Sequence, residues 1–412
     1  MTFDDWRALS PANAAQTVLR RIRERLSPAQ QRAVFRFVPT ATALTHAFAS
    51  ADRSLPLGGV PFAIKDLFDL AGVPTFAGST FLPDVRPTPP ADGAFVTALR
   101  QAGAVPAGKT QMHEFAYGIT GENAHFGDCE RPGFPGRVSG GSSSGSAAAV
   151  AAGIVPLALA SDTGGSVRLP AAFCGLWGIR CAPREPWIAD AVPLSPTFDA
   201  AGWFTATAAD MRTSLRALIG LASPQREPRG CFVVPAGLDP DVAAACLAAA
   251  ERLATPADAD TASAAFAAFA PTAQAYGVIT GTDAWRYHSV WADRYRERYD
   301  PSVWHRLTFA RRLTADQQRQ AADILGRTRA FWSGFFAAWD FLVLPASPCA
   351  ALLKSDCTQA NRERILALTA PASLAGLPVL TVPVQLPSGL STGLQIIVPA
   401  INSPSIAWIL PD

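Results

Sequence analysis

Apolar residues along this chain gather in short runs separated by stretches with helical spacing, a pattern that predicts strands and helices in alternation. Leu9, Val18, Ile22 and Leu26, set among many arginines, space an amphipathic surface helix over 6–26, and 35–39 reads as a short strand. The run LGGVPFAIKDLFDL over 57–70 is strand-like after a Gly-Gly turn, 92–102 is helical and 104–109 is a second strand. Residues 147–153 form a helix of small side chains that lets neighbouring backbones approach closely, and 155–160 reads as a buried strand.

The second half repeats the theme. An Ala- and Pro-rich stretch over 223–275 carries a helix at 239–253 and suggests a peripheral βα layer, while 285–339, rich in Arg and aromatics, is helical and placed to wall a pocket. Strands return at 341–345, 379–383 and 394–398, so the core is assembled from both ends of the chain. This alternation predicts an α/β fold with a mixed or largely parallel sheet covered by helices on both faces. We read an N-terminal helical arm over 1–50 and a catalytic domain over 51–412, with a peripheral, substrate-facing region at about 223–340.

Composition narrows the possibilities. With 412 residues, 49% of them hydrophobic, the chain can bury a large core. A net charge of +2 without long basic runs offers no footprint for nucleic acid or a membrane surface. The seven cysteines are scattered, with no C-x-x-C pair and no His at zinc-like spacing, and read as reduced structural thiols. The start MTFDDWRALS lacks the basic and apolar segments of a secretory signal, and no apolar run approaches the ~20 residues of a membrane span, so a cytoplasmic enzyme is expected.

Chemistry concentrates in VSGGSSSGSAAAVAAGIVPLALASDTGGSVR, over 138–168. Its glycines let backbone N–H groups turn toward an anion, and its serines supply hydroxyls for nucleophilic attack and proton transfer. Four blocks, GVPFAIKD at 59–66, GGSSSGS at 140–146, SDTGGSVRLPAAFCG at 161–175 and ASLAGLPVLTVPV at 372–384, together resemble the amidase signature family in order and spacing. The resemblance runs over about 57–398 and implies an α/β/α sandwich around a mixed sheet, with a Ser-cisSer-Lys triad that hydrolyses carboxylic amides.

Carried over by residue, the resemblance implies that Ser166 is the acyl-forming nucleophile, Ser142 the bridging serine and Lys65 the base. It implies an oxyanion hole from the backbone N–H groups of Thr163, Gly164, Gly165 and Ser166, and makes Tyr117, Gly118, Ile119, Thr120 and Arg168 candidates for substrate binding, with Arg168 alternatively, and by preference, holding the oxyanion loop in a structural role. No metal or cofactor is required. Elementary chemistry agrees with these roles: a serine hydroxyl attacks only when a base takes its proton, and a second hydroxyl can pass that proton on. Lys65 can accept it only when neutral, and Phe62, Ala63, Ile64, Leu67 and Phe68 would desolvate its ammonium, while strand alternation turns Asp66 to the other face.

Bland readings compete with each of these. A lone lysine is usually solvated, but basic residues here are nearly all Arg, with Lys only at 65, 109 and 354, and Arg cannot give up a proton at working pH. Residues 103–110 fit the G-x-x-x-x-G-K-[ST] phosphate loop, yet they follow a helix and are themselves strand-like. Residues 141–145 fit the G-x-S-x-G nucleophile elbow, with Ser143 as nucleophile, but Pro and Gly break the preceding segment where a strand is needed. After Gly178 the family's usual Lys-Pro-Thr gives way to Ile179-Arg180-Cys181-Ala182-Pro183, a departure expected in substrate-facing or peripheral parts. The expected function is an amidase acting on a small carboxylic amide or urea-like compound; the alternative is a glutaminase-type subunit of an amidotransferase complex. The expected partner is a small-molecule amide, with a homodimer among the assemblies open to the chain.

Overall fold

The computed structural model describes residues 1–410. Its strands are β1 (Phe35–Phe37), β2 (Pro61–Lys65), β3 (Val105–Thr110), β4 (Leu157–Asp162), β5 (Trp177–Pro183), β6 (Ala200–Thr205), β7 (Gly230–Phe232), β8 (Thr255–Pro256), β9 (Phe341–Pro345), β10 (Val379–Gln385) and β11 (Ser391–Ile397). They join in one sheet in the order β1-β3-β2-β4-β6-β5-β10-β11-β9-β7-β8. β2 runs parallel to β3 and β4, and β7 parallel to β8 and β9. Every pairing from β4 through β9 is antiparallel, so the sheet is mixed and the largely parallel alternative fails at its centre. There β10 and β11 are joined by the short 386–390 turn, a connection that only antiparallel neighbours permit.

Strand alternation sorts the core into two layers. On β2, Phe62 and Ile64 join a cluster with Phe68, Phe95 and Trp203, while Ala63 joins a second cluster with Trp6, Val18, Ala147 and Phe204. The N-terminal segment belongs to that second cluster. The single helix expected over 6–26 is two, Phe3–Arg7 and Pro11–Arg25, because Ser10 caps a new helix whose first position is a proline. The predicted apolar stripe survives the break, with Val18, Ile22 and Leu26 buried.

Residues 223–340 build the far edge of the sheet and a helical layer beside it. β7, β8 and the helices Pro240–Ala250 and Ala259–Phe269 form the βα edge, followed by Thr272–His288, Pro301–Ala310 and Ala315–Ala338. Among the described residues no helix is long and apolar enough to cross a membrane.

Parallel pairing positions the chemistry. Because β2 and β4 run the same way, their carboxyl ends bring Lys65 and the Ser161–Asp162 pair to one edge, where ligands bind in sheets of this kind. The small-residue helix Ser144–Ala151 lies against both strands, and Ser146 ties it down by donating to the Leu159 carbonyl at 2.7 Å. A Cβ on Gly145 would sit 2.4 Å from the Val34 carbonyl oxygen, so only glycine allows this approach.

Candidate active site

Lys65 ends β2 with no exposed surface. Its Nζ donates to Ser142 Oγ at 2.8 Å, Ser143 Oγ at 2.9 Å and Ser161 Oγ at 2.8 Å. Ser142 and Ser143 precede the small-residue helix, and the Gly141–Ser142 peptide bond is cis. No carboxylate touches the ammonium, and burial pushes it down to about 7, with Asp162 and Asp199 opposing at longer range. The nearest acids in sequence are committed elsewhere. Asp66 faces the other side and pairs with Lys109 at 2.7 Å, and Asp69 pairs with Arg86 at 2.7 Å.

The loop that follows β4 is organised by one carboxylate. Asp162 accepts from the backbone N–H of Gly165 at 2.8 Å and of Val167 at 3.0 Å, and from the guanidinium groups of Arg168 and Arg180. Burial alone would raise its pKa, but Arg168 and Arg180 outweigh burial and hold it far below the ordinary carboxylate range. Gly165 sits at a φ of +127°, a backbone conformation that suits glycine. Thr163 donates to Asp199 at 2.6 Å, and the Gly164 carbonyl accepts from Thr369 at 2.6 Å. The loop is thus held from several directions, leaving Ser166 only 5% exposed.

Ser166 opens on a small inner cavity of about 10 Å³, lined also by Tyr117, Gly118, Ile119, Gly164, Tyr276 and Arg362. Tyr117, Tyr276 and Arg362 continue into an outer cavity of about 710 Å³, whose wall includes His305 and Arg306 from the predicted helical region. The ring of Tyr276 covers the loop after β4 so closely that a Cβ on Gly164 would lie 2.4 Å from it.

Three candidates from the sequence need correction. Arg168 is fully buried, spending its donors on Asp162, Thr369, Gln395 and Ser373, and so cannot reach substrate. Thr120 is absent from the inner cavity's lining and donates its hydroxyl to Glu122 at 2.6 Å. The Gly165 N–H points to Asp162, which removes it from the set of free amides.

The family model named Amidase matches residues 16–246 and 238–405. The chain belongs to the amidase family. A glutamyl-tRNA(Gln) amidotransferase subunit of Synechococcus sp. (strain RCC307) is 31% identical over 88% of this chain and 84% of its own length. AtzE, a 1-carboxybiuret hydrolase subunit of Pseudomonas sp. (strain ADP), is 53% identical over 30% of this chain and 27% of its own. A solved amidase structure superimposes with a TM-score of 0.83 at 27% identity, covering 100% of this chain and 98% of the other. The chain aligns with between 27% and 45% of the length of the first curated relatives it matches.

Within this amidase-family fold the two competing motifs have structural explanations. The phosphate-loop match lies largely in β3, and its Lys109 is buried against Asp66 and Thr75. Ser143, the would-be elbow serine, accepts from Lys65 and donates to the Ser161 carbonyl at 3.1 Å. Arg180, in the stretch that departs from the family pattern, is not peripheral: it is fully buried on β5 and supplies the second cation to Asp162. Sequence reasoning missed Ser161, Asp199, Tyr276 and Arg362. Ser161 stands at the head of the 161–175 block and could have been read there, whereas Asp199, Tyr276 and Arg362 reach the site through packing between distant segments and carry no local signal.

The buried lysine makes a stability prediction. The unfolded chain keeps Lys65 protonated up to about pH 10.4, whereas the folded protein releases that proton near pH 7. Lys65 therefore lowers stability by its full amount below pH 7, and the penalty fades as pH climbs from 7 to about 10. Lys65→Met should be stabilising relative to the native chain below pH 7, by at most ~5 kcal/mol less the contribution of the lost hydrogen bonds, with the advantage shrinking at alkaline pH. Urea unfolding of both proteins between pH 6 and 9.5 measures it, and a difference that does not vary with pH would mean that Lys65 stays charged when folded.

Proposed function

We propose that the protein is a stand-alone amidohydrolase that cleaves the C–N bond of a small carboxylic amide or urea-like compound through an acyl-enzyme on Ser166. The observation that carries this reading is Lys65: a buried lysine near neutrality, 2.8 Å from a serine hydroxyl and on the same sheet edge as the Ser166 loop. Membership of the amidase family and the likeness to a 1-carboxybiuret hydrolase subunit support the reaction class.

Neutral Lys65 takes the proton of Ser142 as Ser142 takes that of Ser166, and Ser166 Oγ bonds to the substrate carbonyl carbon. The carbonyl electron pair moves onto oxygen, which faces the amides of Thr163, Gly164 and Ser166, each such donor contributing ~3 kcal/mol to the transition state. Collapse breaks the C–N bond, and the departing nitrogen takes the proton that returns from Lys65 through Ser142. Water then repeats the sequence on the ester and frees Ser166.

Likeness to an amidotransferase subunit over most of the chain favours a second reading, an ammonia-releasing subunit with a partner. Co-purification of a second chain that raises glutamine hydrolysis would select it. The seven cysteines, unpaired in the structure, suit a reducing compartment such as the cytoplasm.

Ser166→Ala should lower kcat/KM on amides by roughly 10⁵-fold or more while circular dichroism shows a folded protein. Retained turnover in an ammonia-release assay would remove Ser166 from its role. Lys65→Ala should cost amides at least ~10-fold more than activated esters, because only amides need a protonated leaving group. Native amide kcat/KM should rise with pH through about 7 as Lys65 loses its proton, and Lys65→Ala should lack that limb. Equal losses on both substrates, with the limb intact, would refute the relay.

A further inference from the structure

Asp199 is a buried carboxylate with no part in the relay from Ser166 to Lys65. It stands one residue before β6, whose antiparallel pairing sets Ala200 opposite Asp162 and so places Asp199 beside the loop after β4. Its oxygens accept from the hydroxyl of Thr163 at 2.6 Å and from the backbone N–H groups of Leu194 and Ser195 at 2.9 Å. None of these donors is a cation. Asp162 has Arg168 and Arg180 as partners, whereas among the described residues no ion pair reaches Asp199.

A small cavity lies between this acid and the neighbourhood of Lys65. It measures about 10 Å³, is lined by both Ser161 and Asp199, and shares Ala116 and Leu194 with the inner cavity of Ser166. That is room for one water molecule, with a polar side chain on either side of it. The Ser161 hydroxyl accepts from Lys65 Nζ at 2.8 Å, and its own proton has no acceptor among the described residues. Lys65 thus has a branch of polar groups leading toward Asp199, apart from the one that leads through Ser142 to Ser166.

Charge gives the branch a purpose. The carboxylates of Asp162 and Asp199 and the guanidinium groups of Arg168 and Arg180 cancel while Lys65 is neutral. Burial pushes the Asp199 carboxyl up, but the two backbone N–H groups can only donate, which fixes one of its oxygens as an acceptor. Tyr276 and His113, which face Asp199 and Lys65, add no charge near neutrality, because burial pushes the phenol up and the imidazole down to about 3. Asp283 stands behind Ser195 and accepts from its hydroxyl at 2.7 Å. When Lys65 takes a proton, a positive charge appears in a site closed to water, and Asp199 is an acid there without a cation of its own.

We infer that Asp199 is a positioning residue for Lys65: through Ser161 and one water molecule in the small cavity, its carboxylate stabilises the ammonium that forms as Ser166 attacks. Opposite charge raises the proton affinity of a base, so Asp199 keeps Lys65 basic enough to take a proton against the pull of burial. The inference rests on the amidohydrolase reading for the role of Lys65 as the base.

The test reads the charge of Lys65 without turnover. Lysine occurs only at 65, 109 and 354, so lysine labelled with ¹³C at Cε gives few NMR signals, and Lys65→Met assigns the one from Lys65. Its titration should centre near pH 7 in the native protein and move to lower pH by about one unit or more in Asp199→Asn, while Asp199→Glu, which keeps the charge, stays close to native. Ser161→Ala leaves the three donors to Asp199 in place and should lower the midpoint by about half a unit or more. The rise of amide kcat/KM with pH should move with the midpoint in each variant. A midpoint that stays put in folded Asp199→Asn, or in Ser161→Ala where Asp199→Asn does not fold, overturns the inference; continued hydrolysis in that case leaves the amidohydrolase reading intact. A midpoint that moves while the rate limb does not would remove Lys65 as the base and leave its coupling to Asp199 standing.

Discussion

One buried carboxylate, Asp162, holds the site together. It closes β4, receives two guanidinium groups, and fixes the backbone of the loop that presents Ser166 through the N–H groups of Gly165 and Val167. Arg168 extends this anchorage to Thr369 and Ser373 on the helix Gln359–Ala375, and Arg180 extends it to the Phe198 carbonyl beside β6. Three buried charges of this kind would be costly if any partner were missing, because the remainder would be stranded in low dielectric. Complete pairing turns that cost into a geometric constraint on the loop.

Lys65 is treated in the opposite way, and the contrast comes from the same strands. Lys109 on β3 is equally buried, but it has the Asp66 carboxylate at 2.7 Å. Lys65, one residue before Asp66, points to the other face and meets three serine hydroxyls and the Ser161 carbonyl, none of them charged. Hydroxyls accept hydrogen bonds from an ammonium without neutralising it, so burial decides the proton's affinity. Moving one carboxylate across the sheet would convert a lysine poised near neutrality into a structural ion pair.

Much of this was legible in the sequence. Strand alternation around β2 separates Lys65 from Asp66, and the glycine-flanked serines mark the two loops that the sheet edge brings near Lys65. What escaped is the long-range part. Besides Asp162, the partners of Arg168 lie 201 and more residues away, and the Tyr276 ring rests on Gly164 across more than a hundred positions. Helical periodicity predicts that a segment has a buried face but says nothing about which loop that face meets. The structural role read for Arg168 holds, but the same limit hid its distant partners and left Arg362 unnoticed.

The division of labour in the fold follows from these constraints. Groups placed for chemistry sit on strand ends and on loops whose backbone is bound at almost every turn, because small displacements there would spoil proton transfer. The cavity wall comes from the helices Thr272–His288, Pro301–Ala310 and Gln359–Ala375, which contribute Tyr276, Arg306 and Arg362 and pack on one another outside the sheet. Helix faces can exchange one side chain for another without disturbing the Asp162 anchorage, except where Thr369 and Ser373 take part in it. The first turns of Gln359–Ala375 are therefore free to vary with substrate while its later turns are bound to the loop.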